Sequence, residues 1–199
     1  RQDGQGAQGD IHGHLYPCRA MTYRVGGVQY VAVAAAWGGG GFPYVPRYSA
    51  AYQRSNMGRI LVFKLDGGPV PLPPPLPPLD VAPPPPSQTA GVTAETIARG
   101  KALFFGNCAI CHSNQPHSIT PDLRRMQPET HAAFRGIVLE GLFVSTGMPR
   151  WDDLLSPADA DAIHAYLIDL QGQTRREELE KQKSGLPLDA PKPAILSNF

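Results

Sequence analysis

Hydrophobic and polar positions follow four regimes along the chain. Residues Arg1 to Pro17 are polar and glycine-rich, with neither a helical nor a strand period, and predict an irregular lead over 1–20. From Met21 the side chains turn β-branched and aromatic: Met21-Thr22-Tyr23-Arg24-Val25, then Gly26-Gly27, then Val28-Gln29-Tyr30-Val31-Ala32-Val33. Two such runs around a Gly-Gly pair predict a hairpin. A third strand is expected at Arg59-Ile60-Leu61-Val62-Phe63-Lys64-Leu65, closed by Asp66-Gly67-Gly68. Three strands have only a small core and leave edges to be paired or covered. Residues 21–68 are therefore expected to be part of a larger β structure.

Residues 69–91 form the third regime. Eleven of the chain's 22 prolines lie between Pro69 and Pro86. Proline fixes φ and supplies no N–H, so this stretch is expected to be an extended polyproline II spacer. Its Val70, Leu72, Leu76, Leu79 and Val81 predict that it lies along a surface. An SH3-type ligand is the alternative reading.

The fourth regime, 92–172, has helical periodicity. Thr93 is an N-cap for a helix from Ala94 to about Phe105, with Ile97, Gly100 and Phe104 on one face. Pro128 suits the first turn of a second helix carrying Phe134, Ile137 and Val138 inward. Ser156, Pro157 and Asp159 start a third helix as a near capping box, with Ala162, Ile163, Tyr166, Leu167 and Leu170 along one stripe. Beyond it, residues 173–199 read as a charged extension and tail. Arg175 to Lys183 is expected to be solvated helix, with a docking site for an electron acceptor as the alternative.

Composition adds exclusions. Eighteen Lys and Arg against 17 Asp and Glu give a net charge of +1, so no global field points to nucleic acid or an anionic membrane. The longest apolar run, Tyr30 to Trp37, is far short of the ~20 residues of a membrane span. The chain opens at Arg1 without a starting Met or a targeting segment and is expected to be processed or a fragment.

The most informative string is Gly106-Asn107-Cys108-Ala109-Ile110-Cys111-His112. Two thiols spaced i, i+3 at a helix end face one flat ligand, and the next residue is an imidazole. That arrangement meets the needs of covalent haem c: thioethers from Cys108 and Cys111, and His112 as an axial iron ligand. Two other readings stay open. A redox dithiol also uses Cys-x-x-Cys but belongs at a helix N-terminus near a βαβ pattern. A zinc site needs four ligands, for which His117 and His131 are the spare candidates. Cys18 stands alone and receives no role.

Met148, in Gly147-Met148-Pro149, is the expected second axial ligand, a soft thioether that favours ferrous iron. Met126 is the alternative and is expected to pack at a helix entrance. His131 and His164 are expected at the surface. With both axial positions filled, iron has no open site for substrate, so the expected function is outer-sphere electron transfer.

Two resemblances rest on these residues. Residues 92–172 resemble a class I c-type cytochrome: Gly100 and Phe104 on the first helix and Tyr166 on the last match that family's helix crossing. Pro121 is similar to the proline whose carbonyl accepts the N–H of the axial histidine, here His112. More of the chain resembles the C-terminal part of quinohaemoprotein alcohol dehydrogenases. Met21 to Val33 with Trp37-Gly38-Gly39, and Gly58 to Phe63, look like the end of their last propeller blade. Thr120 to Arg125, His131 to Phe134, Ile137 to Leu139 and Gly147 to Trp151 match their haem domain.

The fold implied is a mainly α cytochrome c domain, three or more short helices around haem, plus a small N-terminal β segment resembling part of a blade. The resemblance also implies pyrroloquinoline quinone (PQQ) and Ca2+ in an intact parent enzyme, alcohol oxidation there, and a periplasmic location. The expected electron donor is the quinone-bearing domain. Another cytochrome, a cupredoxin or a membrane quinone is the expected acceptor. Dehydrogenase activity is not expected of this chain by itself, because the resemblance places the propeller's catalytic residues upstream of it.

Overall fold

The computed structural model of the chain describes residues 20–35, 50–54, 58–112 and 120–189. The lead with Cys18, the Trp37-Gly38-Gly39 turn, His117 and the tail from 190 lie outside the described residues.

Strand β1 (Met21–Val25) turns through Gly26-Gly27 into β2 (Val28–Ala35), as the Gly-Gly pair predicts. After the short helix α1 (Ala50–Gln53), β3 (Arg59–Lys64) pairs with the other edge of β2. The sheet is antiparallel in the order β1-β2-β3, with Ala32 opposite both Met21 and Val62. Tyr23 stacks on its cross-strand partner Tyr30 with ring centres 5.3 Å apart. Ala32 and Ala35 are buried, but Met21, Val25, Ile60 and Val62 stand in solvent. The sheet builds no core of its own.

The helical part contains α2 (Ala94–Asn107), α3 (Pro128–Ala132), α4 (Phe134–Leu139) and α5 (Pro157–Lys183). Short 3-10 turns lie at Leu123–Arg125 and Val144–Thr146. Thr93 Oγ1 accepts the Thr96 N–H at 3.3 Å. Ser156 and Asp159 form a full capping box, each side chain accepting the other's backbone N–H. The second expected helix is two: the chain leaves helical geometry at Ala133 (φ −89°, ψ 4°) and restarts at Phe134. Phe134, Ile137 and Val138 are buried nonetheless, as the pattern predicts.

Helices α2 and α5 cross at Gly100. A Cβ there would lie 1.8 Å from the Ala162 carbonyl oxygen, so only glycine permits this approach. One turn on, Phe104 is fully buried and packs against Tyr166 with ring centres 5.5 Å apart. Around this crossing Met126, Phe134, Val138, Ile163 and Leu167 complete one apolar cluster. Burying side chains of this size is worth about 2–3 kcal/mol each.

The proline segment is docked, not free. Prolines leave carbonyls without N–H groups, so the surface that holds them must donate. Arg59 Nη1 donates to the Pro71 carbonyl at 2.8 Å and Arg54 Nη1 to Pro73 at 2.7 Å. Farther along, Arg175 Nη1 donates to the Ala82 carbonyl at 2.6 Å and Gln171 Nε2 to Pro83 at 3.1 Å. Ala82 has an N–H, and that donates to Glu178 Oε2 at 2.7 Å.

Gln171, Arg175 and Glu178 thus form one stripe of α5 facing this strap, while Thr174 between them bonds the Leu170 carbonyl of its own helix. The helix runs unbroken through the boundary expected at 172. Glu178 is buried and Arg175 is bonded to the strap, so the expectation of a solvated Arg175 to Lys183 fails on this face. A charged stripe there is covered because its partner is a row of backbone carbonyls and one amide.

Candidate functional site

The Cys-x-x-Cys-His string forms a turn on the end of α2. Cys108 is the helix C-cap, its N–H donating to the Phe104 carbonyl at 2.8 Å. The Cys111 and His112 N–H groups return to the Cys108 carbonyl at 3.1 and 2.8 Å. Both thiols are free and half-buried. Burial pushes the Cys108 thiol up to about 11, with the Cys111 charge adding to it. A helix C-terminus also disfavours a thiolate. A redox dithiol requires a stabilised thiolate, so the position and chemistry of Cys108 oppose that reading.

His112 Nδ1 lies 3.0 Å from the Pro121 carbonyl oxygen. A carbonyl only accepts, so Nδ1 carries the proton and Nε2 keeps its lone pair in the neutral ring. This is the tautomer an Nε2 metal ligand needs. The segment after Pro121 is fixed by Asp122, whose carboxylate accepts the Arg124 backbone N–H at 3.1 Å and its guanidinium at 2.8 Å.

Met148 is presented by a tight loop. Gly147 adopts φ 97°, which favours glycine, and its N–H donates to the Val144 carbonyl at 3.1 Å. The Met148 N–H donates to Phe143 at 3.2 Å, and Trp151 ties the loop back to the Val138 carbonyl at 2.9 Å. Met148 is partly buried against the same apolar cluster that Cys108 and Ala109 touch. Cys108 and Met148 thus share one support, while His112 and Pro121 are joined directly.

The donor set fits haem c. Two neutral thiols, an imidazole with a free Nε2 and a thioether come from two segments resting on one core. Both segments also leave apolar side chains uncovered, namely Ile110 beside the thiols and Leu142, Phe143 and Val144 before Met148. Uncovered apolar surface of this kind suits a large flat macrocycle. Of the spare zinc candidates, His117 lies outside the described residues, and both ring nitrogens of His131 are engaged by His164 and Gln171.

Met126 packs in the core as expected, 5% exposed. The two histidines expected at the surface do not lie there. His131 is buried, and its Nδ1 is 2.9 Å from His164 Nε2 while its Nε2 is 3.1 Å from Gln171 Oε1. His164 stacks on Phe134 at 4.5 Å and 9°. Gln171 Nε2 spends both hydrogens on the Pro83 and Met126 carbonyls, each at 3.1 Å, so its Oε1 must accept from His131. His131 Nδ1 then accepts from His164 Nε2. Every proton in the chain of bonds is assigned when both rings are neutral. Burial lowers the pKa of both rings, that of His164 to about 4 with the His131 charge contributing. An apolar-stripe reading misses such residues because hydrogen bonds, not hydrophobicity, allow their burial.

Residues 95–167 match the family model of the cbb3-type cytochrome c oxidase subunit III. The quinohaemoprotein alcohol dehydrogenase ADH IIB of Pseudomonas putida is 37% identical over 151 residues, 74% of this chain and 21% of that protein. The solved structure of ADH-IIG from Pseudomonas putida HK5 superposes with a TM-score of 0.61 at 32% identity, covering 82% of this chain and 24% of that one. The chain is similar to the cytochrome c portion of quinohaemoprotein alcohol dehydrogenases.

The dehydrogenase subunit of a quinone-type alcohol dehydrogenase from Komagataeibacter europaeus extends the likeness to 86% of the cytochrome chain, at 31% identity and 24% of its own length. The chain therefore spans about a quarter or less of the curated relatives it matches. Haem c is the cofactor such a cytochrome domain implies, and its work is electron transfer between redox partners. Among the described residues no helix of the cytochrome chain is long and apolar enough to cross a membrane.

Arg125, Gln171 and Glu178 were not singled out by the sequence reading. The available signal was the polar i, i+3, i+4, i+7 spacing of Gln171, Thr174, Arg175 and Glu178, continuing the register of α5.

Proposed function

We propose that Cys108 and Cys111 carry haem c as thioethers, with His112 Nε2 and Met148 Sδ as axial ligands. The observation that carries this reading is that His112, the residue after Cys111, bonds the Pro121 carbonyl through Nδ1 at 3.0 Å. Cys108 and Cys111 would each add across a vinyl group, sulfur bonding one carbon and the thiol hydrogen going to the other, so no oxidant would be needed. Bound haem supplies a one-electron ferric/ferrous couple.

The protein's part is positional. Pro121 fixes the imidazole's tautomer and raises its basicity. The Gly147 turn delivers a thioether, and thioether ligation favours the ferrous state. With His112 and Met148 both holding the iron, no position would be left for substrate, and the bound group would serve outer-sphere electron transfer.

In the intact protein this domain takes electrons from an upstream propeller holding PQQ and Ca2+ and oxidising an alcohol. It delivers them to another cytochrome, a cupredoxin or a membrane quinone. That assignment, and a periplasmic location, rest on the relatives. The chain by itself is not a dehydrogenase.

The test is expression of the chain in a host that matures haem c. The reduced protein shows sharp α and β bands, and the oxidised protein the weak long-wavelength methionine–iron band. Retention of that band in Met148→Ala overturns the Met148 assignment, and a colourless protein with stoichiometric zinc overturns the whole reading. Adding PQQ, Ca2+ and an alcohol leaves the chain oxidised; reduction of its haem would show that it is an enzyme alone.

A further inference from the structure

The segment 121–126 that carries the carbonyl for His112 is gripped from outside the site. At one end the Pro121 carbonyl accepts from His112, and at the other the Met126 carbonyl accepts from Gln171. Between them Arg125 reaches three elements at once. Its Nη1 donates to the Asp80 carbonyl of the strap at 2.5 Å and its Nη2 bonds Glu178 on α5, while its buried Nε faces Asp122 Oδ2 at 3.5 Å as an ion-pair contact without a hydrogen bond. Glu178 completes the link, because its second oxygen accepts the Ala82 N–H of the strap.

The side chains of Arg125, Asp122 and Glu178 are 17%, 6% and 6% exposed. Water therefore competes weakly for these bonds, and breaking one leaves a buried charge without its partner. Asp122 directly follows Pro121, and its carboxylate is held between the Arg124 guanidinium at 2.8 Å and the Arg125 charge at 3.5 Å, so the orientation of the Pro121–Asp122 peptide, and of the carbonyl it carries, depends on both.

We propose that Arg125 and Glu178 are positioning residues for His112, through which the docked proline strap holds the Pro121 carbonyl against the imidazole and thereby tunes the haem iron. This rests on His112 being an axial ligand. A firmly held Pro121 acceptor makes the imidazole a stronger donor, which favours ferric iron; loosening it raises the reduction potential. The guanidinium's fork is essential, since an ammonium cannot serve the strap, α5 and Asp122 together.

The experiment compares the full chain, with haem c attached, with Arg125→Lys, Arg125→Gln and Glu178→Gln. The expected result is a higher midpoint potential in all three. It is accompanied by severalfold faster solvent exchange of the His112 Nδ1 proton in the reduced, diamagnetic protein. A purely Coulombic role for the pair gives a different pattern. Arg125→Gln would lower the potential, Glu178→Gln would raise it, Arg125→Lys would leave it unchanged, and proton exchange would stay at the wild-type rate. That pattern overturns the proposal. Arg125→Lys keeps the charge and most of the packing, so an unchanged potential and exchange rate in it alone suffices to overturn it. The reduced wild type separates the two levels: absence of a ring-current-shifted His112 resonance there sinks the ligand assignment itself.

Discussion

His131 Nδ1 accepts the proton of His164 Nε2 across 2.9 Å, and the pair is closed at the far end by Gln171. A proton added to His131 Nδ1 would set two donors face to face. Both rings have folded pKa values below the ordinary 6.5, that of His164 about 4. Asp161 opposes the shift of His164 but does not cancel it. A depressed histidine pKa means that the unfolded chain binds protons first. The stabilisation is thus complete above 6.5 and is lost as the pH falls from 6.5 towards about 4. Denaturant midpoints at pH 7 and pH 5 are expected to differ in that sense, and His164→Gln is expected to flatten the difference.

The crossing of α2 and α5 allows no Cβ at Gly100, where the Ala162 carbonyl is 1.8 Å from the site such an atom would take. Gly100→Ala is expected to force the helices apart at a cost of about 2 kcal/mol or more, despite alanine's better helix propensity. A thermal unfolding curve of the loaded chain checks it. An unchanged midpoint would mean that the crossing is looser than described.

Gln171 satisfies three groups with one amide: the buried Met126 carbonyl and His131 N–H and the part-buried Pro83 carbonyl. Gln171→Ala leaves all three without that partner and is expected to cost about 3 kcal/mol, since each buried orphan costs on the order of 1–3 kcal/mol. Gln171→Glu is expected to fare little better, because a carboxylate cannot donate to the two carbonyls. Chemical denaturation distinguishes both from the wild type.

The strap should be visible by amide exchange. Ala82 is fully buried, and its N–H is held by Glu178 Oε2 at 2.7 Å. Glu178→Ala is expected to speed exchange of that amide by at least about tenfold, as loss of roughly 1.5 kcal/mol of a charge-assisted bond implies. Protection of the amides within α2 should be unaffected.

Much of this was legible in local chemistry. Thr93, Ser156, Pro157 and Pro128 mark helix starts because capping and a fixed φ depend only on near neighbours. The Gly26-Gly27 hairpin is local in the same way. The thiol pair and His112 are contiguous, which is why the string alone suggested its ligand. What escaped was non-local. No proline or glycine marks the break at Ala133, and the buried His131 depends on His164 and Gln171, both on α5 and far from it in sequence. Arg175 and Glu178 read as solvent-facing charges, because a sequence does not display the carbonyls and the amide that meet them.

The strap has a consequence for how this chain can vary. Arg175, Gln171, Arg125, Arg54 and Arg59 all bind main-chain oxygens of the strap, so recognition is blind to most of its side chains. Composition can drift provided the chain stays extended. Length cannot, because inserting one residue between Pro73 and Asp80 would put the two anchored ends out of step. The segment works as a ruler, and what it measures is the distance from the sheet to the turn beside His112.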